Sequence, residues 1–117
     1  MYLFVYGIFK RGRTFPLEDD GARFVGEAVA SDMGLFDIGG LAGMAYMAGL
    51  HTHGEVYEIN DSILKLCDAV EGHPTFYERR MVDVCVDDAS PDGHELKCHA
   101  YFYDRVHGRS LVPDGNW

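Results

Sequence analysis

A chain of 117 residues with 47% hydrophobic and 25% charged content is long enough for one packed core and too apolar to stay disordered. Ten Lys and Arg against nineteen Asp and Glu leave a formal charge of −9, which argues against binding nucleic acid or an anionic membrane surface. No apolar run approaches the roughly 18 residues of a membrane span and no charged-then-apolar leader precedes the first apolar run, so a soluble, cytoplasmic protein is expected.

Tyr2-Leu-Phe-Val-Tyr6 is a continuous apolar run closed by Gly7, the pattern of a strand buried on both faces. Ile8 to Pro16 reads as a turn and an irregular segment. Gly7 to Thr14 also spells G-x-x-x-x-G-R-T, one letter from a phosphate-binding loop. Arg13 does not replace the compact ammonium such a loop needs, and Pro16 interrupts the helix whose N-terminus would hold the anion, so nucleotide binding is not expected. Lys10, Arg11 and Arg13 form the only basic cluster, which reads as a solvated face able to attract an acidic substrate. Arg23 to Val29 is a second strand, and Gly34 to Ile38 a short third one. It enters the run Gly39-Gly-Leu-Ala-Gly-Met-Ala45, whose glycines suit tight turns or a backbone that approaches something closely. Gly54 to Ile59 is a further strand.

A helix follows directly. Ile63, Leu66, Cys67 and Val70 fall at i, i+3, i+4 and i+7, one apolar stripe, with Asn60, Asp61 and Ser62 supplying a cap ahead of it. Gly72 stands where a left-handed C-terminal cap belongs, and Pro74 bars continuation. Glu71 is thereby left at the negative end of the helix macrodipole, at a cost of about 0.3–1 kcal/mol, with Asp68 adding a like charge three residues earlier. Both effects raise the pKa of Glu71, as a general base near neutral pH requires. The same features also fit a solvated glutamate at a frayed end.

Arg80 to Val86 alternates strictly, with Val82, Val84 and Val86 on one face and Met81, Asp83 and Cys85 on the other. Ser90-Pro-Asp-Gly93 reads as a turn, and Glu95 to Tyr103 as the returning strand of a hairpin. The tail after Asp104 holds turn residues and the apolar pair Leu111-Val112. About six strands and one clear helix predict a single α+β domain over 1–117 with a closed or strongly curled sheet.

Other groups carry less. His51 and His53 would put two imidazoles on one strand face, a spacing that binds zinc, but no third ligand is identifiable and no metal is expected. Cys67, Cys85 and Cys98 are odd in number and lack C-x-x-C spacing, and none of the serines sits in a nucleophile elbow. His73 follows Glu71 closely enough to line a pocket with it, or to be a solvated loop residue.

Two segments go further than composition. Phe4-Val-Tyr-Gly-Ile-Phe-Lys-Arg-Gly12 resembles the F-V-Y-G-T-L-K-R-G opening of the γ-glutamylcyclotransferase-like (AIG2-like, γ-glutamylamine cyclotransferase) family. Leu66-Cys-Asp-Ala-Val-Glu-Gly-His-Pro-Thr-Phe-Tyr-Glu-Arg79 resembles that family's L-D-x-x-E-G-x-P-x-x-Y-x-R segment. Phe24-Val-Gly-Glu-Ala28, Leu35-Phe-Asp-Ile-Gly-Gly40, Gly54-Glu-Val-Tyr57 and Gly115-Asn-Trp117 match further landmarks in order. The resemblance implies a small mixed β-barrel of about five to six strands with a flanking helix and a pocket at one end of the sheet. It implies a cofactor-independent cyclotransferase in which the α-amine of a small γ-glutamyl substrate attacks its own γ-carbonyl, releasing 5-oxoproline and an amine. Carried over by position, Glu71 is the acid/base and backbone groups of Tyr6, Gly7, Ile8 and Phe9 hold the γ-glutamyl unit. Gly39, Gly40, His73 and Tyr77 are expected around the pocket. Ile8 and Phe9 depart from the family's small hydroxyl residue and leucine, which predicts a narrower or less polar pocket. The alternative function is an inactive ligand-binding or interaction module on the same fold.

Overall fold

A computed structural model of the chain describes residues 1–87 and 94–117. Strand β1 (Tyr2–Val5) is followed by an irregular turn and a single 3-10 turn (Leu17–Asp20). Two long strands come next, β2 (Arg23–Asp37) and β3 (Ala42–Glu58), then helix α1 (Asp61–Glu71). Strands β4 (Glu78–Asp87), β5 (His94–Phe102) and β6 (Ser110–Leu111) complete the order. The sheet runs β3-β1-β5-β4-β2, and β2 pairs again with β3, so five strands close into a barrel with β6 as an outer strand on β2. β1 lies antiparallel to β3 and parallel to β5, making the barrel mixed as expected. Among the described residues no helix is long and apolar enough to cross a membrane. The turn expected at Ser90 to Gly93 lies outside the described residues.

The alternation of β1 explains its unbroken apolar sequence. Phe4 and Tyr6 point into the barrel with Met44, Val56, Val84 and Phe102, whereas Leu3 and Val5 join Ile63, Cys67 and Tyr101 in a second core under the helix. β4 behaves as its pattern predicts, with Val82, Val84 and Val86 buried and Met81, Asp83 and Cys85 exposed.

Two strand expectations are corrected. The second and third strands are one, running through Ser31 and Asp32, where the register with β3 shifts and Asp32 takes φ 57°. The Asp32 carboxylate accepts the Gly49 N–H at 2.9 Å, so a polar residue marks a bend in the strand and not its end. The small-residue run beyond Leu41 is likewise strand, the first part of β3. Its small residues answer to crowding: a Cβ on Gly43 would come within 3.1–3.2 Å of Ile38 and Tyr103. Gly39 and Gly40 alone make the turn, at φ 99° and 89°, with both N–H groups bonded to the Asp37 carboxylate at 3.0 and 2.7 Å.

Helix α1 is capped as predicted. Asn60 Oδ1 accepts the Ile63 N–H at 2.9 Å, and Gly72 adopts φ 66° with its N–H turned back to Ala69 and Asp68. The apolar stripe is rotated from the expected one, with Ile63 and Cys67 buried and Leu64 and Val70 beside them while Leu66 is 41% exposed. Helices follow 3.6 residues per turn, and this one rolls its stripe toward Leu64.

Candidate active site

The chain from Gly72 to Tyr77 folds back over the helix end. The Phe76 N–H donates to Gly72 C=O at 2.8 Å and the Tyr77 N–H to Glu71 C=O at 3.2 Å, closing the last turn without extending it. Tyr77 drops its ring among Phe76 and Tyr103, and its hydroxyl donates to Ala42 C=O at 2.7 Å, fastening the loop to the start of β3. One turn back, Arg79 grips Asp68 with two bonds of 2.8 and 3.2 Å, and the Tyr101 hydroxyl donates to the same carboxylate at 2.7 Å. The helix C-terminus is thus held to β4 and β5 through Asp68, and Glu71 takes its direction from that hold.

The second wall is the turn after β1. The Lys10 N–H donates to Gly7 C=O at 3.0 Å, the Phe15 N–H to Ile8 C=O at 3.1 Å, and the Arg11 N–H to the buried carboxylate of Glu55 at 2.7 Å. The turn is therefore satisfied through its carbonyls. The N–H groups of Gly7, Ile8 and Phe9 have no acceptor among the described residues. The Tyr6 hydroxyl is spent inside the barrel, donating to Tyr101 C=O at 2.7 Å and accepting the Met44 N–H at 3.2 Å.

Between these walls lies a cavity of about 100 Å³, lined by β1 and its turn from Phe4 to Phe9 and by Leu41 and Ala42. Val70, Glu71, Phe76, Tyr77 and Tyr101 complete the lining. A Cβ on Gly7 would sit 3.4 Å from that of Ala42, in van der Waals contact across the hollow. Glu71 is half-buried here, and among the described residues its carboxyl has no hydrogen-bond partner. Burial pushes its pKa up to about 7. The cause differs from the expected one. Asp68 is not among the causes: the bonds from Arg79 and Tyr101 outweigh its burial and keep it ionised, and the paired Arg79 guanidinium offsets its charge.

Of the residues expected at a pocket, the fold brings together Glu71, Tyr6, Gly7, Ile8, Phe9 and Tyr77. Gly39, Gly40 and His73 are not among its lining residues. The glycine turn is folded onto Asp37, and His73 Nδ1 accepts the Arg79 N–H at 3.0 Å, bracing the loop from outside. Tyr101 and Glu55 were missed as site residues, since their partners are remote in the chain and nothing local marks them, and Asp68 was read only as a like charge beside Glu71, its hold on Arg79 and Tyr101 being equally remote. The basic cluster is a solvated face, Arg11 and Arg13 exposed and Lys10 partly so, with contacts at the surface. Lys10 meets Asn116, Arg11 meets Glu18 and lies 3.6 Å over the Phe24 ring, and Arg13 meets Trp117 C=O. His51 and His53 are exposed on β3, and among the described residues no three His, Cys, Asp or Glu side chains are grouped to hold a metal. Cys67 is buried under the helix, which pushes its thiol up to about 12 and leaves it to packing.

The sequence profile of the family described as gamma-glutamyl cyclotransferase, AIG2-like, matches residues 3–117. A gamma-glutamylcyclotransferase family protein, ytfP, from Citrobacter rodentium is 30% identical over 120 residues, covering 100% of this chain and 95% of that protein. A provisionally named gamma-glutamylcyclotransferase of Methanocaldococcus jannaschii is 39% identical over 67 residues, 57% of this chain and only 52% of its own length. The solved structure of an AIG2-like protein from Mus musculus superposes with a TM-score of 0.80 at 24% identity, covering 99% of this chain and 86% of the mouse chain. That of ytfP from Escherichia coli gives 0.71 at 28% identity, covering 100% and 96%.

Proposed function

This chain belongs to the gamma-glutamyl cyclotransferase, AIG2-like family, which supports a γ-glutamylcyclotransferase-type activity, and on that premise we propose that it converts a γ-glutamylamine into 5-oxoproline and the free amine. The α-amino nitrogen attacks the γ-carbonyl carbon of the same molecule, a new C–N bond closes the five-membered ring, and the original amide C–N bond breaks. Glu71 enters as the carboxylate, takes a proton from the α-ammonium so that the neutral amine attacks, and hands a proton to the departing nitrogen. Two protons leave the attacking nitrogen in all and two arrive on the leaving one, so the amine departs as an ammonium ion and no net proton is consumed. The nucleophile comes from the substrate, so the reaction calls for no cofactor.

One observation carries this reading: a carboxyl without a partner and three amide N–H groups without acceptors border the same hollow. An ordinary glutamate differs from an α-amine by about 3.5 pKa units, roughly 5 kcal/mol of uphill proton transfer. At about 7, Glu71 leaves a gap of about one unit, roughly 1.4 kcal/mol. The amides of Gly7, Ile8 and Phe9 supply donors for the γ-glutamyl oxygens, including the oxyanion that develops at the γ-carbonyl. One such donor contributes about 3–4 kcal/mol where it has been removed from other enzymes. Only backbone is asked of these positions, so Ile8 and Phe9 do not stand in the way.

The test is 5-oxoproline release from γ-glutamyl amides by the unaltered protein and by Glu71→Gln. The variant is expected to fold and to lose about 100-fold or more of turnover. Undiminished turnover would remove Glu71 from the chemistry. Binding of the amide without any 5-oxoproline from the unaltered protein would make this a ligand-binding module on the same fold.

A further inference from the structure

Two features of the sequence are left unused by the reaction: the basic run from Lys10 to Arg13 and the closing Gly115-Asn-Trp117. The fold joins them. Given the cyclotransferase reading, on which this inference rests, we propose that the segment 115–117 positions the β1 turn whose amides meet the γ-glutamyl oxygens. Asn116 acts through Lys10, and the Trp117 carbonyl acts through Arg13.

The turn has little packed around it. Phe9 is buried, but residues 10–13 beyond it are partly or fully exposed. The reaction cavity lies against Gly7, Ile8 and Phe9. A second hollow, of about 130 Å³, lies against Lys10, His53, Glu55 and Asn116 and shares no lining residue with the first. A chain segment between two hollows lacks packing partners on both sides, so the bonds it makes decide where it sits. Three bonds tie this turn to β3 and to the segment 115–117. The Arg11 N–H donates to Glu55 at 2.7 Å, Lys10 Nζ to Asn116 Oδ1 at 3.1 Å, and the Arg13 guanidinium to Trp117 C=O at 2.9 Å. Two of the three end on the segment.

That segment is itself firmly seated. The Val112 N–H donates to Leu35 C=O of β2 at 2.8 Å, and Gly115 C=O accepts the His53 N–H of β3 at 2.7 Å. Gly115 is buried at φ 66°, and a Cβ on it would overlap the His51 carbonyl oxygen. Only glycine lets the backbone lie so close. Trp117 packs against the barrel-interior cluster. Each exposed bond to the turn contributes little alone, but both spring from one base fixed to the two long strands. The aim of the turn's amides at the developing oxyanion then depends on that base.

The experiment reads 5-oxoproline release beside denaturant unfolding. Asn116→Ala, at an exposed position, is expected to keep the unfolding midpoint and to lower kcat about threefold with KM little changed. Asn116→Asp keeps an acceptor for Lys10 and is expected to restore kcat. In a Lys10→Ala background, Asn116→Ala is expected to cost nothing further. Gly115→Val unseats the segment and with it both bonds, and is expected to lower kcat about tenfold or more. The same variant is expected to be cut by trypsin after Arg11 and Arg13 about fivefold faster, read by mass. The Asn116 set reads positioning apart from any stability that Gly115→Val loses. Full kcat in Asn116→Ala, a loss that Asn116→Asp leaves unrestored, or a Gly115→Val protein that is less stable but turns over normally would overturn the proposal and leave the cyclotransferase reading intact. No 5-oxoproline from the unaltered protein would take down both.

Discussion

Glu71 concentrates two opposing demands in one carboxyl. Catalysis wants it poised near neutral pH, and folding would prefer it solvated or paired. Burial raises its pKa from 4.5 to about 7, so the native state retains a proton that the unfolded chain releases between those values. Stability is then greatest below about 4.5 and falls as pH rises through about 7, by about 3 kcal/mol for a shift of this size. Denaturant unfolding at pH 5 and pH 8 is expected to show that decline in the unaltered protein and to lack it in Glu71→Gln, which is then the more stable of the two at pH 8. Turnover carries the complementary signature. The acid limb of kcat/KM is expected to lie near pH 7, where Glu71 ionises, with an alkaline limb as the substrate's α-ammonium is lost. A limb near pH 4.5 would mean that the carboxyl is solvated in solution. The position of Glu71 at a helix end was legible in the sequence; the burial that sets its pKa was not, because burial depends on what Tyr77, Val70 and the β1 turn bring over it.

The elements that aim this carboxyl are held at few points. Helix α1 meets the strands through Asp68, which takes two bonds from Arg79 on β4 and one from Tyr101 on β5. Asp68→Asn is expected to cost about 2–3 kcal/mol, since Arg79 is left short of an anion in a partly covered place. A merely structural role would stop there. A positioning role adds two readouts: kcat falls with KM little changed, and the acid limb drifts below pH 7 as the helix end loosens and water reaches Glu71. The corresponding support for the β1 turn is Glu55, whose carboxylate holds the Arg11 N–H. Capping at Asn60 and Gly72 was readable, because it involves neighbours within four residues. The hold at Asp68 was not, because it joins residues 11 and 33 positions apart.

At the scale of the whole molecule, closure of the barrel brings the two walls together. β1 lies between β3 and β5, its turn follows directly, and the helix crosses the outside with its C-terminus beside that turn. Gly54 shows how closely the strands approach: a Cβ there would fall 2.3 Å from Val5 C=O and 2.8 Å from the Phe4 ring. Gly54→Ala is expected to lose about 3 kcal/mol or more in denaturant unfolding, since rigid backbone must move to admit one methyl group. The residual folded protein should also lose activity, because the displaced strand carries the turn from Tyr6 to Phe9. Full stability in that variant would mean that β1 and β3 lie farther apart than the structure has them.

What the sequence determined by itself is what local pattern encodes: the buried first strand, the alternation of β4, the capped helix and the abrupt stop after Glu71. Motif order along the chain added the family and with it the mixed barrel. Tertiary structure alone decided that Ser31 and Asp32 bend a strand, that a small-residue run is barrel wall, and that Gly39, Gly40 and His73 stand off the cavity. The physical reason is common to all three. Strand pairing, cavity lining and desolvation depend on which segments the closed barrel brings together, and no residue's neighbours in the chain record which surfaces will cover it.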